Sequence, residues 1–299
     1  MSQARGWGGG VRRRCWRLPL AARCPLHGRR PVHFLVLQDL RPLGFQPAQR
    51  RRGLGLRHCL LALRTLASFH ASSVALMASD PHVADGLGNP MITEGPNSME
   101  PFVHACLQQA ADACRSWEGF AAYAGALEAL KGSLVQKLAA LNQPSPGEFR
   151  VILHGDFWTN NLLLRYEEAL PVDVRMVDFQ LSRVASPAVD LLHFPSTSPS
   201  ERVSACHEAL RAALQLLGAE VAAPPLGALL AAVRAHGACA LLGAAGVLPL
   251  VKATRDAGVD VDAAVGGSAA AGDLYQEPAV RRWLQRVLPE YKEKGWLDA

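Results

Sequence analysis

Residues 153–161 read Leu-His-Gly-Asp-Phe-Trp-Thr-Asn-Asn, and residues 176–180 read Met-Val-Asp-Phe-Gln. Apolar and β-branched runs lie before and after these segments, so Asp156 and Asp178 each follow a predicted strand. A strand that ends in a turn holds an acidic side chain at the rim of a core, where it faces a ligand without full desolvation. The sequence therefore predicts a strand–loop–strand site with both carboxylates at its rim.

The oxygen-bearing side chains at this site are spaced as phosphoryl transfer requires. Asn161 follows Asp156 by five residues, and the next strands supply Asp178. Carboxylate and amide oxygens are suitable ligands for Mg²⁺, and the reaction also needs a carboxylate that orients the attacking hydroxyl. Asp156 fits the second role, and Asn161 and Asp178 fit the first. An aspartate at a strand end often only caps a turn, but the intact pair with flanking strands favours the site.

These two motifs resemble those of the aminoglycoside phosphotransferase and choline kinase superfamily, which has a protein-kinase-like fold. In that superfamily, His-Gly-Asp is followed by four residues and Asn, and a second motif supplies a metal-binding aspartate. Trp158, the doubled Asn and Gln180 are most similar to the ecdysteroid kinase-like, or CHK kinase-like, family. Residues 34–45, 66–71 and 183–194 also resemble family segments, so the resemblance covers about residues 33–297.

The resemblance implies an α+β fold, a mostly helical kinase-like C-terminal lobe with a small β-hairpin region that carries the catalytic and metal loops. It implies a base-like role for Asp156, a bracing role for His154 and Mg²⁺ ligation by Asn161 and Asp178. Asp190 would hydrogen-bond the loop backbone, although a helix N-cap is an alternative for it.

The resemblance also implies a nucleotide site. The family's interlobe hinge offers backbone groups to the adenine of ATP, which here corresponds to Gln38, Asp39 and Leu40. Gln38 stands where the family usually has Glu. The phosphoryl acceptor would be a hydroxyl group of a small, lipophilic molecule of the steroid or xenobiotic kind.

A second departure lies before the hinge. Family members have a β-rich lobe there, with a phosphate-covering loop and a lysine that pairs with a helix glutamate, but residues 1–32 contain neither Lys nor Glu. We therefore expect most of this lobe to be missing. The expected organisation is a disordered or non-homologous Arg-rich leader over 1–32, a remnant strand and hinge over 33–45, and the helical lobe over 46–299.

Three functional hypotheses follow from this departure. The first is an active ATP- and Mg²⁺-dependent kinase. The second is a catalytically impaired pseudokinase lobe that binds a small molecule or a partner. The third is a fragment of a longer protein. Substrate identity and oligomeric state cannot be predicted from the sequence.

Periodicity predicts the helical lobe. Apolar residues at three- and four-residue steps predict a long helix over 56–77 with Leu56, Leu63, His70 and Val74 on its buried stripe. His70 and His193 lie in apolar patterns and are interpreted as core residues, whereas Trp158 fits a core or a pocket equally well. Further helices are predicted over 101–114, 116–141, 201–217, 224–243 and 277–293.

Charge and cysteine usage exclude some classes of protein. Residues 1–64 carry 14 Arg, no Lys and one acid, Asp39, but no recognition element or interleaved aromatics point to nucleic acid. Seven scattered cysteines favour reduced thiols and a cytoplasmic protein. Mitochondrial targeting by the Arg-rich leader is an alternative. The apolar runs predict no membrane span, since the longest candidate is 238–251.

Overall fold

The computed structural model describes residues 20–21, 26–28, 34–48, 54–88, 92, 99–143, 145–194, 199–249 and 274–298. The chain divides into two compact units. One consists of Met1–Asn89 and Gly147–Val233, and the other of Pro90–Pro146 and Arg234–Ala299. The first unit combines short antiparallel strands with helices, so the predicted α+β class is confirmed.

The elements follow the predicted order along the chain. The described strands are β1 (Leu26–Gly28), β2 (Phe34–Val36), β3 (Phe45–Pro47), β4 (Val151–Ile152), β5 (Leu162–Glu167), β6 (Leu170–Met176) and β7 (Val184–Ala185). The described α-helices are α1 (Leu56–Ser79), α2 (Glu100–Ser116), α3 (Ala121–Ala129), α4 (Leu134–Ala140), α5 (Ala188–His193), α6 (Pro199–Leu217), α7 (Leu226–Ala235), α8 (Gly237–Leu242) and α9 (Pro278–Glu293).

Helix α1 is the central helix of the first unit, and it packs on α6, β4 and β6. Its buried side chains include Leu63, His70 and Val74, which lie on the predicted stripe. Leu56 differs from the prediction, since 64% of it is exposed and Cys59 is buried in the same turn. The buried stripe therefore begins at Cys59, three residues later than the periodicity suggested.

Strands β5 and β6 form a hairpin that positions the two site loops. Glu168 and Ala169 connect them with positive φ angles of 47° and 66°, as a tight two-residue hairpin turn requires. Strand β3 pairs antiparallel with β5, which makes a three-stranded sheet in the order β3–β5–β6. A separate pair, β4 with β7, lies on either side of the site segments in sequence. One loop of the site leaves β4 and enters β5, and the other leaves β6 and reaches β7.

Part of the predicted leader forms strands. β1 pairs antiparallel with β2, and the carbonyl of Leu20 accepts a hydrogen bond of 2.9 Å from the N–H of Met176. These described residues of the 1–32 segment therefore differ from a disordered leader. The rest of that segment lies outside the described residues, and the proposed domain boundaries stay predictions.

Two of the predicted helices differ from the described ones. The single helix predicted over 116–141 is wrong, because the chain turns at Gly119 with φ of 76° before α3 and turns again at Leu130–Gly132 before α4. The helix predicted over 224–243 is also interrupted, at His236 between α7 and α8. A Cβ at Gly237 would lie 2.2 Å from the Trp296 ring, so the close packing there requires glycine.

One described helix, α1, is long and apolar enough to cross a membrane, and the bent pair Leu226–Ala235 with Gly237–Val247 passes the same test only when taken together. The sequence prediction overlooked α1 as a candidate. More than half of its most apolar window is buried inside the protein, which is typical of a core helix.

The five described cysteines are buried and form no disulfide with one another. Burial raises the pKa of Cys106 and Cys114 to about 11 and that of Cys206 to about 12. These thiols therefore stay protonated at neutral pH, as expected for apolar core residues. Cys15 and Cys24 lie outside the described residues.

Candidate active site

The loop from His154 to Asn161 connects β4 to β5 and is fixed at its start by a glycine. Leu153 donates its N–H to the carbonyl of Arg183 at 2.8 Å, which continues the pairing of β4 with β7. Gly155 then has φ of 84°, and a Cβ there would lie 2.1 Å from the carbonyl oxygen of Leu181. Only glycine fits both the backbone conformation and the space. Gly155 thus brings this loop against the segment that follows Asp178.

His154 uses one ring nitrogen within its own loop and the other to reach the second site loop. Its Nε2 lies 3.0 Å from the carbonyl oxygen of Val177, and its Nδ1 lies 3.3 Å from the backbone nitrogen of Asp156. The carbonyl can only accept and the backbone N–H can only donate, so the proton belongs on Nε2. The ring of Phe179 packs on the imidazole with a centroid distance of 4.6 Å. His154 therefore bridges the segments on either side of Asp178.

Burial lowers the pKa of His154, against the opposing effect of three nearby carboxylates, Asp190, Asp156 and Asp178. The neutral imidazole is the form that makes both hydrogen bonds. The hydrogen bonds of the ring to Val177 and to the Asp156 N–H, and its contact with Phe179, place it next to Asp156 and to both neighbours of Asp178. The structure thus brings His154, Asp156 and Asp178 into one site.

Asn161 is the second link between the loops. Its Nδ2 donates to the carboxylate Oδ2 of Asp156 at 2.8 Å and to the backbone carbonyl of Asp156 at 2.9 Å. Its own backbone carbonyl accepts the N–H of Val177 at 3.0 Å. Because both amide hydrogens point to Asp156, the side-chain Oδ1 is the atom of Asn161 that remains for a cation.

Asp178 is exposed and adopts an unusual backbone conformation. Its φ angle of 72° lies in the left-handed region, which costs a residue with a Cβ about 1 kcal/mol or more. Val177 and Phe179, its two neighbours, are both held against His154. The strained residue is therefore fixed from both sides, as is common at functional sites.

Asp190 lies behind the loop, in the first turn of α5. Its carboxylate is fully buried and accepts the backbone N–H groups of His154 and Gly155, each at 2.9 Å. Burial opposes ionisation, but the hydrogen bonds from His70 and Gly155 outweigh it and lower the pKa of Asp190 below its usual value. Pro187 occupies the N-cap of α5, so the N-cap alternative for Asp190 does not apply.

The predicted hinge lies outside this hydrogen-bonded network. Asp39 accepts hydrogen bonds from the backbone and guanidinium of Arg41, and Leu40 is buried with its carbonyl accepting from the N–H groups of Leu43 and Phe45. Gln38 is exposed. The hinge is connected to the site through β3, which follows it and pairs with β5.

Sequence reasoning missed the contacts of two residues on α1. His70, predicted to be a core residue, contributes its Nε2 to Asp190 at 2.9 Å. Ser73 accepts the backbone N–H of Ile152, at the end of β4, with its hydroxyl oxygen at 2.9 Å. The only signal in the sequence was the presence of polar residues on an otherwise apolar stripe.

Trp158 lies between Asp156 and Asn161 and is partly exposed. Its Nε1 is shielded from solvent and has no hydrogen-bond partner among the described residues. Phe157, the preceding residue, is instead completely buried and packs on Phe194 at a centroid distance of 4.9 Å. The loop thus anchors itself through Phe157, while part of the Trp158 side chain remains at the surface.

The donor set fits magnesium. The described residues contain no cluster of three or more His, Cys, Asp or Glu side chains that could hold a metal ion by themselves. Mg²⁺ in phosphoryl-transfer sites commonly takes only one or two carboxylates and completes its shell with phosphates and water. The Oδ1 of Asn161 and the carboxylate of Asp178 provide hard oxygen ligands of that kind.

Several solved structures match this chain over most of its length. An aminoglycoside phosphotransferase from Alicyclobacillus acidocaldarius is 17% identical, with 93% of this chain and 82% of that one covered and a TM-score of 0.42. A choline kinase from Cryptosporidium parvum is 12% identical, with 96% and 78% covered and a TM-score of 0.45. A Plasmodium vivax ethanolamine kinase is 11% identical, with 92% and 74% covered and a TM-score of 0.45. No curated protein matches the chain.

The family model gives the decisive comparison. The model of the ecdysteroid kinase-like family matches residues 11–211, which is more than half of the chain. The match starts inside the predicted leader and includes both site loops and Asp190. The chain therefore belongs to the ecdysteroid kinase-like family and is, by family, a small-molecule kinase.

Proposed function

We propose that this protein transfers the terminal phosphoryl group of ATP, in a Mg²⁺-dependent reaction, to a hydroxyl group of a small lipophilic molecule of the steroid or xenobiotic kind. The observation that carries the proposal is the double hydrogen bond from Asn161 to Asp156, together with the bond between Asn161 and Val177. These contacts link the loop of Asp156 and Asn161 to the loop of Asp178, which supports the role of Asp156 as the orienting carboxylate and of Asn161 and Asp178 as metal ligands.

In this proposal Asp156 orients the acceptor. Asn161 holds the Oδ2 of Asp156, which leaves Oδ1 to accept a hydrogen bond from the substrate hydroxyl. The hydroxyl oxygen forms a bond to the terminal phosphorus, the bond from that phosphorus to the ADP oxygen breaks, and Asp156 takes the hydroxyl proton. ADP leaves with the electron pair of the broken bond, and the acceptor becomes a phosphate ester.

The metal ligands in this proposal are Asn161 Oδ1 and the Asp178 carboxylate. When bound there, Mg²⁺ would supply positive charge that neutralises the phosphates of ATP. Asp156 orients the side-chain amide of Asn161. The backbone of Asp178 is held between Val177 and Phe179, which both contact His154. Both ligands are therefore oriented before any ion binds, which lowers the entropic cost of binding.

Nucleotide and acceptor sites are assigned by family resemblance together with position. The backbone of Gln38, Asp39 and Leu40 would bind adenine. Gln38 is exposed, and the carbonyl of Leu40 is already used within its own turn, so the contacts would come from the other backbone groups of this segment. The partly exposed Trp158, two residues from Asp156, offers an apolar surface to the acceptor. Buried cysteines without a disulfide among the described residues fit a reducing compartment, and we propose that the reaction takes place in the cytoplasm.

Calorimetry with the purified chain tests the proposal. We expect ATP to bind in the presence of Mg²⁺, and Asp178→Ala to weaken this binding about tenfold or more because one of two protein ligands is removed. Asp85→Ala is the matched control, since Asp85 is an exposed aspartate of the same unit that contacts His82. A folded wild-type protein that binds no Mg²⁺–ATP would contradict the proposal.

An impaired lobe is the second candidate. No lysine precedes Lys131 in the sequence, so the side chain that pairs with ATP phosphates in complete family members has no counterpart in this region. A protein that binds Mg²⁺–ATP or a lipophilic alcohol but yields no phosphate ester would support this candidate over the active kinase.

A further inference from the structure

We propose that His70 is a positioning residue for phosphotransfer, because it donates its Nε2–H to Asp190 and thereby fixes the backbone of the catalytic loop at His154 and Gly155. This inference rests on the proposed function. It extends that function to helix α1, which contributes no residue to the predicted catalytic or metal-binding set.

The buried Asp190 carboxylate receives three hydrogen bonds. Oδ2 accepts from His70 Nε2 and from the N–H of His154, and Oδ1 accepts from the N–H of Gly155, all at 2.9 Å. Both side chains of the His70–Asp190 pair have no exposed surface. A buried carboxylate is costly unless its oxygens are hydrogen-bonded. His70 supplies the side-chain donor, while the other two donors belong to the loop that Asp190 holds.

The same turn of α1 also holds the strand before the loop. Ser73 donates its hydroxyl proton to the carbonyl of His70 at 2.7 Å, and its oxygen accepts the N–H of Ile152 at 2.9 Å. One turn of α1 therefore binds the backbone at Ile152 directly, through Ser73. It also binds the backbone at His154 and Gly155 indirectly, through His70 and Asp190. This double attachment sets the position of the loop relative to a rigid helix.

The loop transmits this position to Asp156. Gly155 precedes Asp156 directly, and the N–H of Asp156 points to Nδ1 of His154. A shift of the backbone at residues 154 and 155 moves the carboxylate that orients the acceptor. Phosphoryl transfer depends mainly on positioning, and displacements on the order of 1 Å are costly to the rate.

A role limited to filling the core would not require this contact. His70 Nδ1 is buried and has no hydrogen-bond partner among the described residues, so Nε2 makes the directional contact of the ring. The geometry requires the tautomer that carries the proton on Nε2, since the Asp190 carboxylate is an acceptor.

The wild-type protein provides the first test. Long-range ¹H–¹⁵N spectra of histidine-labelled protein identify the tautomer of each imidazole. We expect His70 to carry its proton on Nε2. A proton on Nδ1 alone would overturn the proposal, because Asp190 would then receive no hydrogen bond from the ring.

Variants provide the second test. His70→Leu removes the donor, whereas His70→Gln keeps an N–H donor at a similar distance from the backbone. We expect His70→Leu to lower kcat about ten- to a hundredfold, as for the loss of a hydrogen bond to a charged group, with little change in KM. His70→Gln should restore most of the loss. His207→Leu is the matched control, since His207 contacts the carbonyl of Pro224 instead.

Amide hydrogen exchange separates this inference from the proposed function. In His70→Leu, the amides of His154 and Gly155 should lose protection while that of Leu164, in β5, keeps it. If the wild type transfers no phosphate, the proposed function fails, but the exchange result still decides the role of His70. Unchanged protection and kcat in His70→Leu would overturn the inference. If that variant does not fold, His70→Gln and the wild-type tautomer decide it.

Discussion

The side-chain amide of Asn161 donates to Asp156 twice, to the carboxylate at 2.8 Å and to the backbone carbonyl at 2.9 Å. This relationship fixes the amide orientation and directs Oδ1 away from Asp156. One residue therefore orients the acceptor-binding carboxylate and presents a cation ligand. Removal of Asn161 therefore affects both the orientation of the Asp156 carboxylate and the binding of the cation, and it cannot separate the two roles.

Asn161→Ala should weaken Mg²⁺–ATP binding and also lower the transfer rate. The variant loses the Oδ1 ligand and two hydrogen bonds to Asp156, of which the one to the carboxylate is worth about 1.5–3 kcal/mol. Calorimetry measures the first effect and steady-state kinetics the second. A variant with wild-type affinity for Mg²⁺–ATP would exclude Asn161 as a metal ligand.

Asp178→Gly and Asp178→Ala should differ in stability but not in function. Glycine relieves the left-handed conformation at φ of 72°, so we expect Asp178→Gly to be more stable than Asp178→Ala by about 1 kcal/mol. Both variants should lose Mg²⁺-dependent nucleotide binding. Urea unfolding and calorimetry measure the two effects, and equal stabilities would show that the residue is not strained.

Gly155→Ala should be far more damaging than Gly119→Ala. Both glycines have positive φ angles, 84° and 76°, but only at Gly155 would a Cβ meet a backbone atom, the Leu181 carbonyl oxygen at 2.1 Å. We expect a cost of about 1 kcal/mol for Gly119→Ala and at least about 2 kcal/mol more for Gly155→Ala. Thermal or urea unfolding checks this difference, which would be absent if the loop could shift freely.

Stability should fall as the pH falls from neutral. Burial lowers the pKa of His154 and His193, so below about 6.5 the unfolded chain binds protons that the folded chain does not. The pKa of Asp190 is also lowered, and its contribution is lost at more acidic pH, below its unfolded value of about 3.9.

Urea unfolding between pH 7 and pH 5 measures the histidine contribution. His154→Gln should be less stable than the wild type at pH 7, but its stability should depend less on pH in this range. A slope equal to that of the wild type would show that His154 does not contribute to the pH dependence.

Local features of the sequence were sufficient to predict the core of the candidate site. The strand–loop–strand pattern around Asp156 and the step of five residues to Asn161 both lie within one short segment, where turn chemistry and alternation act directly. The α+β class and the long helix α1 were predicted for the same reason. The family resemblance supplied the roles, which the sequence pattern alone left open.

Contacts between distant parts of the chain were not predictable. His70 and Asp190 are 120 positions apart. The apolar stripe predicts that His70 is buried, but it does not predict which acidic side chain His70 contacts. The helix predicted over 116–141 is interrupted at Gly119, which has a positive φ angle, and single glycines are tolerated within many helices. The pairing of β3 with β5 likewise depends on tertiary packing.

Direct observation of phosphoryl transfer tests the central claim most sharply. ³¹P NMR of the protein with Mg²⁺–ATP and a panel of lipophilic alcohols should show ADP and a phosphate ester appearing in equal amounts. The same experiment with Asp156→Asn should show ester formation reduced by about a hundredfold or more, while calorimetry finds Mg²⁺–ATP binding retained. Ester formation at the wild-type rate by Asp156→Asn, or ATP hydrolysis without ester in every case, would contradict the account.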